Sequence, residues 1–146
     1  DSFVINLTNP ASIVQQAIEK ETDVNIVSVC DLPVGVMNKM ANLLDTTSCK
    51  LDVDYVGLNH LGWYTAVYKN GENKLEQVLA DVEELNLGVD GSLVRNLEAV
   101  PVPYLKYYYQ PHQQVEEAKE KEQLRAKQLL ATGEKIREEL TRSRKL

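Results

Sequence analysis

The sequence has no apolar run near the roughly 20 residues that a membrane-spanning helix needs, and no signal-peptide pattern opens it as it stands. It also lacks an excess of positive charge: 16 Lys and Arg face 22 Asp and Glu, a formal net charge of -6. Phosphate contacts call for a basic surface, so this balance argues against a general nucleic-acid binder. Cysteine is scarce. Cys30 and Cys49 form neither a metal-finger spacing nor a set dense enough for a disulfide scaffold, which makes a reducing, cytoplasmic setting the default. Internal repeats and low-complexity stretches are absent. No initiator methionine precedes Asp1, and an apolar strand follows almost at once, so the chain is expected to be the middle of a longer protein. What remains is ordinary globular material, 43% apolar and 26% charged in 146 residues, long enough for a real core.

Residues 3–7 form a short apolar run of the kind found in strands covered on both faces. Asn9 and Pro10 signal a helix start, with Asn9 as N-cap and Pro10 at the first helical position. Ile13, Val14, Ala17 and Ile18 follow at helical spacing, and residues 25–30 repeat the strand pattern. Strand, helix and strand make a βαβ unit with a right-handed crossover, and two such strands imply further sheet upstream. Asp31-Leu32-Pro33 opens a second helix, running to about Leu44 with Val36, Met37, Met40, Ala41 and Leu44 inward.

A new pattern begins at Leu51. Leu51, Val53 and Tyr55 alternate with Asp52 and Asp54, the mark of a half-buried strand. The strand leads to His60, held between Gly57 and Gly62, where glycine signals a bulge or a close backbone approach. Residues 63–68 form a further strand that reverses at Asn70-Gly71. Residues 75–85 read as an amphipathic helix broken by Gly88 and Gly91, and residues 93–100 as a short helix stopped by Pro101 and Pro103. Residues 104–109 carry four of the seven tyrosines. From residue 113 to 145 the chain reads as a charged helix, interrupted or kinked near Gly133 and supported by pairs such as Glu117–Lys121 and Glu138–Arg142. Its apolar stripe of Leu129, Ile136 and Leu140 is expected to dock on another domain or subunit.

Chemistry concentrates at the strand ends. Asn9 and Cys30 follow the C-terminal ends of parallel strands, where ligands of open α/β sheets gather. His60 ends a strand that can return toward the same crevice, and thiolate plus imidazole make half of a divalent-metal site. Each residue also has a plain structural role open to it. Asn9 and Asp31 could be helix caps, Cys30 a small buried hydrophobe, His60 a satisfied core imidazole, and the tyrosines packing at a domain interface.

In combination, Thr8-Asn9-Pro10, Val29-Cys30-Asp31-Leu32-Pro33, Tyr55-Val56-Gly57-Leu58-Asn59-His60 and Pro103-Tyr104-Leu105-Lys106-Tyr107-Tyr108 resemble the family 4 glycoside hydrolases. These depend on NAD and manganese, and the likeness is strongest to the 6-phospho-glucosidases. The resemblance implies an α/β fold: the end of a Rossmann-type parallel sheet, then an α+β domain resembling the C-terminal domain of lactate and malate dehydrogenases. Residues 1–33 would close the NAD-binding domain, 34–112 form the catalytic and substrate domain portion, and 113–146 the charged helical segment. It implies NAD and Mn2+, or another divalent metal, as cofactors. By motif position, Cys30 and His60 match metal ligands, Asn9 a substrate-binding asparagine and Tyr104 a base. Asp31 matches the acid that assists the leaving group in α-specific members.

The implied reaction oxidises carbon three of the sugar, removes the carbon-two proton, expels the glycosidic oxygen, adds water and returns the hydride. A nearby dication stabilises an enolate, and it would also have to lower the pKa of a tyrosine, near 10 in reference peptides, for that residue to act as base. Cys30-Asp31-Leu32-Pro33 leans toward 6-phospho-α-glucosidases over the β-specific group, whereas the short stretch from Gly71 to Tyr104 does not fit an α-type member well. The expected substrate is a phosphorylated disaccharide and the expected assembly a homo-oligomer, dimer or tetramer, without nucleic acid or membrane partners. The glycine-rich dinucleotide fingerprint is not in this sequence, so the isolated chain is expected to be inactive. A hydroxy-acid dehydrogenase, distinguishable by its indifference to chelators, and a non-catalytic association domain are the alternatives.

Overall fold

The computed structural model describes residues 2–120 and 125–143, and the chain divides into two compact units, residues 1–106 and 107–146. In the first unit, β1 (Phe3–Asn6) and β2 (Asn25–Ser28) pair in parallel, Phe3 opposite Asn25 and Asn6 opposite Ser28. Helix α1 (Ala11–Glu21) makes the crossover between them, as a parallel pair requires. The expectation of strands covered on both faces is not met within this chain, because Phe3 is 70% and Ile5 66% exposed. One helix over two strands can shield one face at most. Even there α1 buries none of its residues fully: Val14 and Ile18 are half-buried and Ile13 is exposed.

Asn9 is not the cap of α1. The helix starts at Ala11 behind an extended Pro10, and the Asn9–Pro10 peptide is cis. Asn6 supplies the local polar contacts instead. Its Oδ1 accepts from the Thr8 amide at 2.9 Å, and its Nδ2 donates to the Thr8 carbonyl at 3.2 Å and to Ser28 Oγ at 3.0 Å. A short amide side chain readily replaces backbone bonding in this way. Helix α2 (Leu32–Leu43) begins as predicted, with proline in its first turn. Val36, Met40, Ala41 and Leu44 are buried, and Met37 is half-buried.

An antiparallel sheet follows. Strand β4 (Leu61–Lys69) lies at its centre, with β3 (Leu51–Leu58) along one edge and β5 (Glu72–Asn73) and β6 (Val100–Pro101) on the other. The predicted alternation in β3 holds, Leu51 being buried and Asp52 and Asp54 exposed. Asn70 and Gly71 make a two-residue hairpin loop with φ 55 and 80, the left-handed pair that Asn-Gly favours. The helix expected over residues 75–85 is broken at Asp81 into α3 (Leu75–Ala80) and a 3-10 turn, Val82–Leu85. Gly91 does not end a helix but begins α4 (Gly91–Leu97), because Asp90 caps it, accepting from the Leu93 amide at 3.0 Å. Val100, expected to end a helix, and Pro101, expected to stop it, form β6 opposite Tyr64 and Trp63. Proline is tolerated there because it lies at a sheet edge.

The core lies between α2, β4, α3 and α4. Met40, Tyr64, Val67, Val78, Val94 and Leu105 are at most 1% exposed, each such side chain contributing about 1.5–3 kcal/mol of burial. A tyrosine among them needs a hydrogen-bond partner for its hydroxyl.

The second unit is helical: α6 (Pro111–Glu120) and α7 (Arg125–Ser143), preceded by the short α5 (Lys106–Tyr109) at the boundary. The interruption expected near Gly133 does not occur, since α7 runs through it unbroken. Arg142 pairs with Glu139 at 3.0 Å, not with Glu138, and Lys121 lies outside the described residues. Leu129, Ile136 and Leu140 are all exposed. Among the described residues, no helix is long and apolar enough to cross a membrane.

Candidate active site

Three separate elements bring the candidate residues together. The first is the end of β2. A backbone bond from the Val29 amide to the Asn6 carbonyl, 2.9 Å, extends its pairing with β1, and Cys30 follows immediately. The second is the β3–β4 hairpin. Leu58 pairs with Leu61, so Asn59 and His60 form a two-residue loop with His60 at φ 65. Gly57 and Gly62 lie opposite each other just below this loop. A Cβ on Gly57 would strike the Leu61 carbonyl and lie 2.6 Å from Gly62 Cα, and one on Gly62 would strike the Tyr55 phenol. The close backbone approach expected at these glycines is therefore present, while the bulge lies nearer the strand middle, between Asp54 and Tyr55. The third element is the 3-10 turn Pro103–Leu105, which carries Tyr104. It is tied to the hairpin through the Val102 amide, which donates to the Gly62 carbonyl at 3.0 Å.

Cys30 Sγ lies 3.3 Å from His60 Nε2. The Tyr104 ring stacks on the imidazole, with centroids 4.3 Å apart and planes 15° from parallel. The sulfur–nitrogen contact is a thiol–imidazole hydrogen bond, and the same separation suits two ligands of one ion. With bonds of about 2.3 Å to sulfur and about 2.0–2.1 Å to nitrogen, it corresponds to an angle of about 100° at a dication, between octahedral and tetrahedral values. Among the described residues, no group of three or more His, Cys, Asp and Glu is placed to hold a metal. Cys30 and His60 alone would give such an ion two protein donors, with the rest left to substrate and water.

Asp31 occupies the N-cap position of α2, yet its carboxylate makes no capping bond; only its carbonyl is used, by the Gly35 amide at 2.8 Å. Asn9 lies exposed on the β1–α1 connection. Asn9 follows β1 and Asp31 follows β2 just after Cys30, so both leave the carboxyl end of the parallel pair. No hydrogen bond or ion pair among the described residues ties either side chain to Cys30, His60 or Tyr104.

The sequence reading did not single out Tyr64. Its hydroxyl, 1% exposed with the rest of the residue, donates to the Pro33 carbonyl at 2.7 Å. Burial, and secondarily the nearby Tyr55, pushes its pKa up to about 12. The available signal was a phenol on the inward face of a strand, which cannot remain without a partner.

A parallel βαβ unit whose strand ends meet a histidine hairpin from an antiparallel sheet defines an α/β protein, with Cys30, His60 and Tyr104 gathered where ligands of such sheets bind. The chain belongs to glycosyl hydrolase family 4: residues 1–46 match the family model and residues 55–145 match its C-terminal domain. It is 30% identical to maltose-6'-phosphate glucosidase of Bacillus subtilis, over 81% of this chain and 31% of that protein. It is likewise 30% identical to 6-phospho-beta-glucosidase of Escherichia coli, over 75% of this chain and 27% of that protein. A crystal structure of 6-phospho-alpha-glucosidase from gut microorganisms, in complex with NAD and Mn2+, superposes with a TM-score of 0.59 at 30% identity, covering 75% of this chain and 30% of that one. The 6-phospho-beta glucosidase of Thermotoga maritima shares the fold at 20% identity, with a TM-score of 0.69 over 92% of this chain and 33% of that one. The chain thus spans about a third of the length of the relatives it matches.

Proposed function

We propose that this chain carries the metal-holding and proton-transferring part of an NAD- and manganese-dependent 6-phospho-glucosidase. The observation that carries the reading is the 3.3 Å approach of Cys30 Sγ to His60 Nε2 beside the stacked Tyr104 ring. In this assignment Cys30 and His60 hold the dication. Tyr104, whose ring faces the imidazole that binds it, takes the proton from carbon two of the sugar. Asp31, with no capping role for its carboxyl, protonates the leaving glycosidic oxygen, and the Asn9 amide hydrogen-bonds the sugar. When bound, NAD supplies hydride transfer at carbon three and the dication supplies Lewis-acid polarisation of the oxygen there.

Residues 1–33 then close the NAD-binding domain, 34–112 belong to the catalytic and substrate domain, and 113–146 form its charged helical extension, in a cytoplasmic homo-oligomer acting on a phosphorylated disaccharide. Support comes from the names of the relatives and from NAD and Mn2+ in a superposable structure at 30% identity. The Cys30-Asp31-Leu32-Pro33 motif favours the α anomer slightly. Relatives named for either anomer reach 30% identity, so the β activity stands close behind.

The test is an assay of the natural full-length polypeptide on p-nitrophenyl 6-phospho-α- and β-glucosides. Cleavage is expected only with both NAD and Mn2+, and is expected to be lost with chelator or in Cys30→Ser and His60→Ala. Full-rate cleavage without NAD and with chelator present would refute the assignment. The 146-residue chain alone is expected to show no turnover.

A further inference from the structure

Two tyrosine hydroxyls outside the candidate site connect the segments that carry its sulfur and its imidazole. Tyr64 donates to the Pro33 carbonyl at 2.7 Å, in the first turn of α2 and three residues after Cys30. The Tyr64 ring stands edge-on to that of Tyr55, with centroids 5.0 Å apart and planes at 65°. Tyr55 donates in turn to the Leu58 carbonyl at 3.0 Å, two residues before His60. Gly62 makes room for this phenol, since any side chain there would collide with it. A path of two side chains therefore runs from the Cys30 loop to the His60 turn.

We propose that Tyr55 and Tyr64 are positioning residues that brace the β2–α2 loop against the β3–β4 hairpin and so set the separation of Cys30 Sγ from His60. The functional weight of this brace rests on the metal-site reading given above. The hairpin tip needs such support. Val56, Leu58 and Leu61 around it are 58%, 73% and 49% exposed, so little packing restrains it, and beyond the last strand pair the Tyr55 bond fixes the carbonyl at its entry. The Tyr64 end is anchored in the core, where Tyr64 is 1% exposed. Its raised pKa keeps the hydroxyl a donor throughout the neutral range. Groups that orient metal ligands commonly alter metal affinity by about 10–100-fold when removed.

Tyr55→Phe and Tyr64→Phe each delete one hydroxyl and keep the ring. Tyr68→Phe is the control, because its hydroxyl meets Asp54 Oδ2 at 3.3 Å on the same hairpin but outside the path. Two readouts are taken on the full chain with Cys49→Ser. The first is the NMR shift of the His60 ring protons without metal, which the stacked Tyr104 ring displaces from the free-histidine value. The second is Co2+ titration followed by thiolate-to-cobalt absorption. In both brace variants the His60 shifts should relax toward the free value and Co2+ affinity should fall about tenfold, with far-UV circular dichroism unchanged and Tyr68→Phe like the parent. Parent-like His60 shifts in both brace variants would overturn the proposal. Absence of a cobalt–thiolate band in the parent chain would instead refute the metal reading, and the metal-free shifts would still decide the brace. Should Tyr64→Phe not fold, Tyr55→Phe decides alone, because its half-buried ring lies outside the core.

Discussion

Replacing Gly57 by alanine tests whether two backbones really meet beneath the His60 turn. Gly57 has φ 119, a conformation close to exclusive to glycine, and an L-residue held in so sparsely populated a region costs on the order of 1–3 kcal/mol. The added Cβ would also overlap the Leu61 carbonyl and lie 2.6 Å from Gly62 Cα. Both are backbone atoms of the paired strand, so no side chain can swing aside, and overpacking of this kind costs about 1–3 kcal/mol more. The sum is about 4 kcal/mol, against a total stability of roughly 5–15 kcal/mol for a domain. Gly71→Ala is the matched reference: its φ is 80, but nothing lies within 4 Å of its Cβ position, so only about 1–2 kcal/mol of conformational cost applies. Urea unfolding can be followed through Trp63, the single tryptophan, which pairs with Val56 in the same hairpin. Gly57→Ala should lose about 2.5 kcal/mol more than Gly71→Ala, the difference of the central values. Equal losses in the two variants would refute the close approach.

Other consequences are separable. Tyr64 titrates near 12 in the folded chain against an ordinary value of 10, so its contribution is fully present below pH 10 and is lost as pH rises through 12. At about 1.4 kcal/mol per unit this is at most about 3 kcal/mol, and denaturant titrations between pH 8 and 12 should show an alkaline fall that Tyr64→Phe reduces. An unchanged slope in that variant would contradict the assignment. Asp90 is held below the usual carboxylate range, chiefly by the Ser92 hydroxyl and then by the Leu93 amide. Its stabilising effect is therefore present above the ordinary pKa and lost as pH falls through the lowered one. Asp90→Ala should lower the melting temperature at pH 7, with the gap to the parent closing in acid. Gly133→Ala should stabilise α7, because nothing lies within 4 Å of the added methyl and alanine exceeds glycine in helices by up to about 1 kcal/mol. Thermal melts that show a loss would mean Gly133 serves a contact outside the described residues.

Local chemistry made much of the fold legible. The alternation of β3, the Asn70-Gly71 reversal and the proline-led start of α2 are set by residues adjacent in sequence, and all three occur as predicted. Asn9 misled because two adjacent signals competed. A polar residue before proline reads as a cap, but the turn is taken by Asn6, three positions earlier and hidden inside an apolar run. Pro101 misleads in the same direction: its ring reads as a helix stop, whereas the open edge of β4 makes Val100 and Pro101 a strand. Among the described residues nothing lies within 4 Å of a Cβ placed on Gly133, and helical neighbours on both sides outweigh its weak propensity. Only for Pro101 does the deciding partner, β4, lie beyond the reach of local pattern.

The site shows the same division more sharply. Cys30 and His60 each follow an expected strand and Tyr104 follows Pro103, and it is the four motifs in combination, through the family resemblance, that single these residues out. Nothing in that logic fixes how far apart they end up. The segments that carry Sγ and Nε2, 3.3 Å apart, are held by bonds whose acceptors are backbone carbonyls: Asn6 for Val29, Gly62 for Val102, Pro33 for Tyr64 and Leu58 for Tyr55. A carbonyl is present at every position, so an acceptor leaves no trace in sequence. The donors are the only clue. Tyr64 is therefore the informative case, because a buried phenol obliges some carbonyl to meet it, and here that carbonyl belongs to the turn that follows the cysteine.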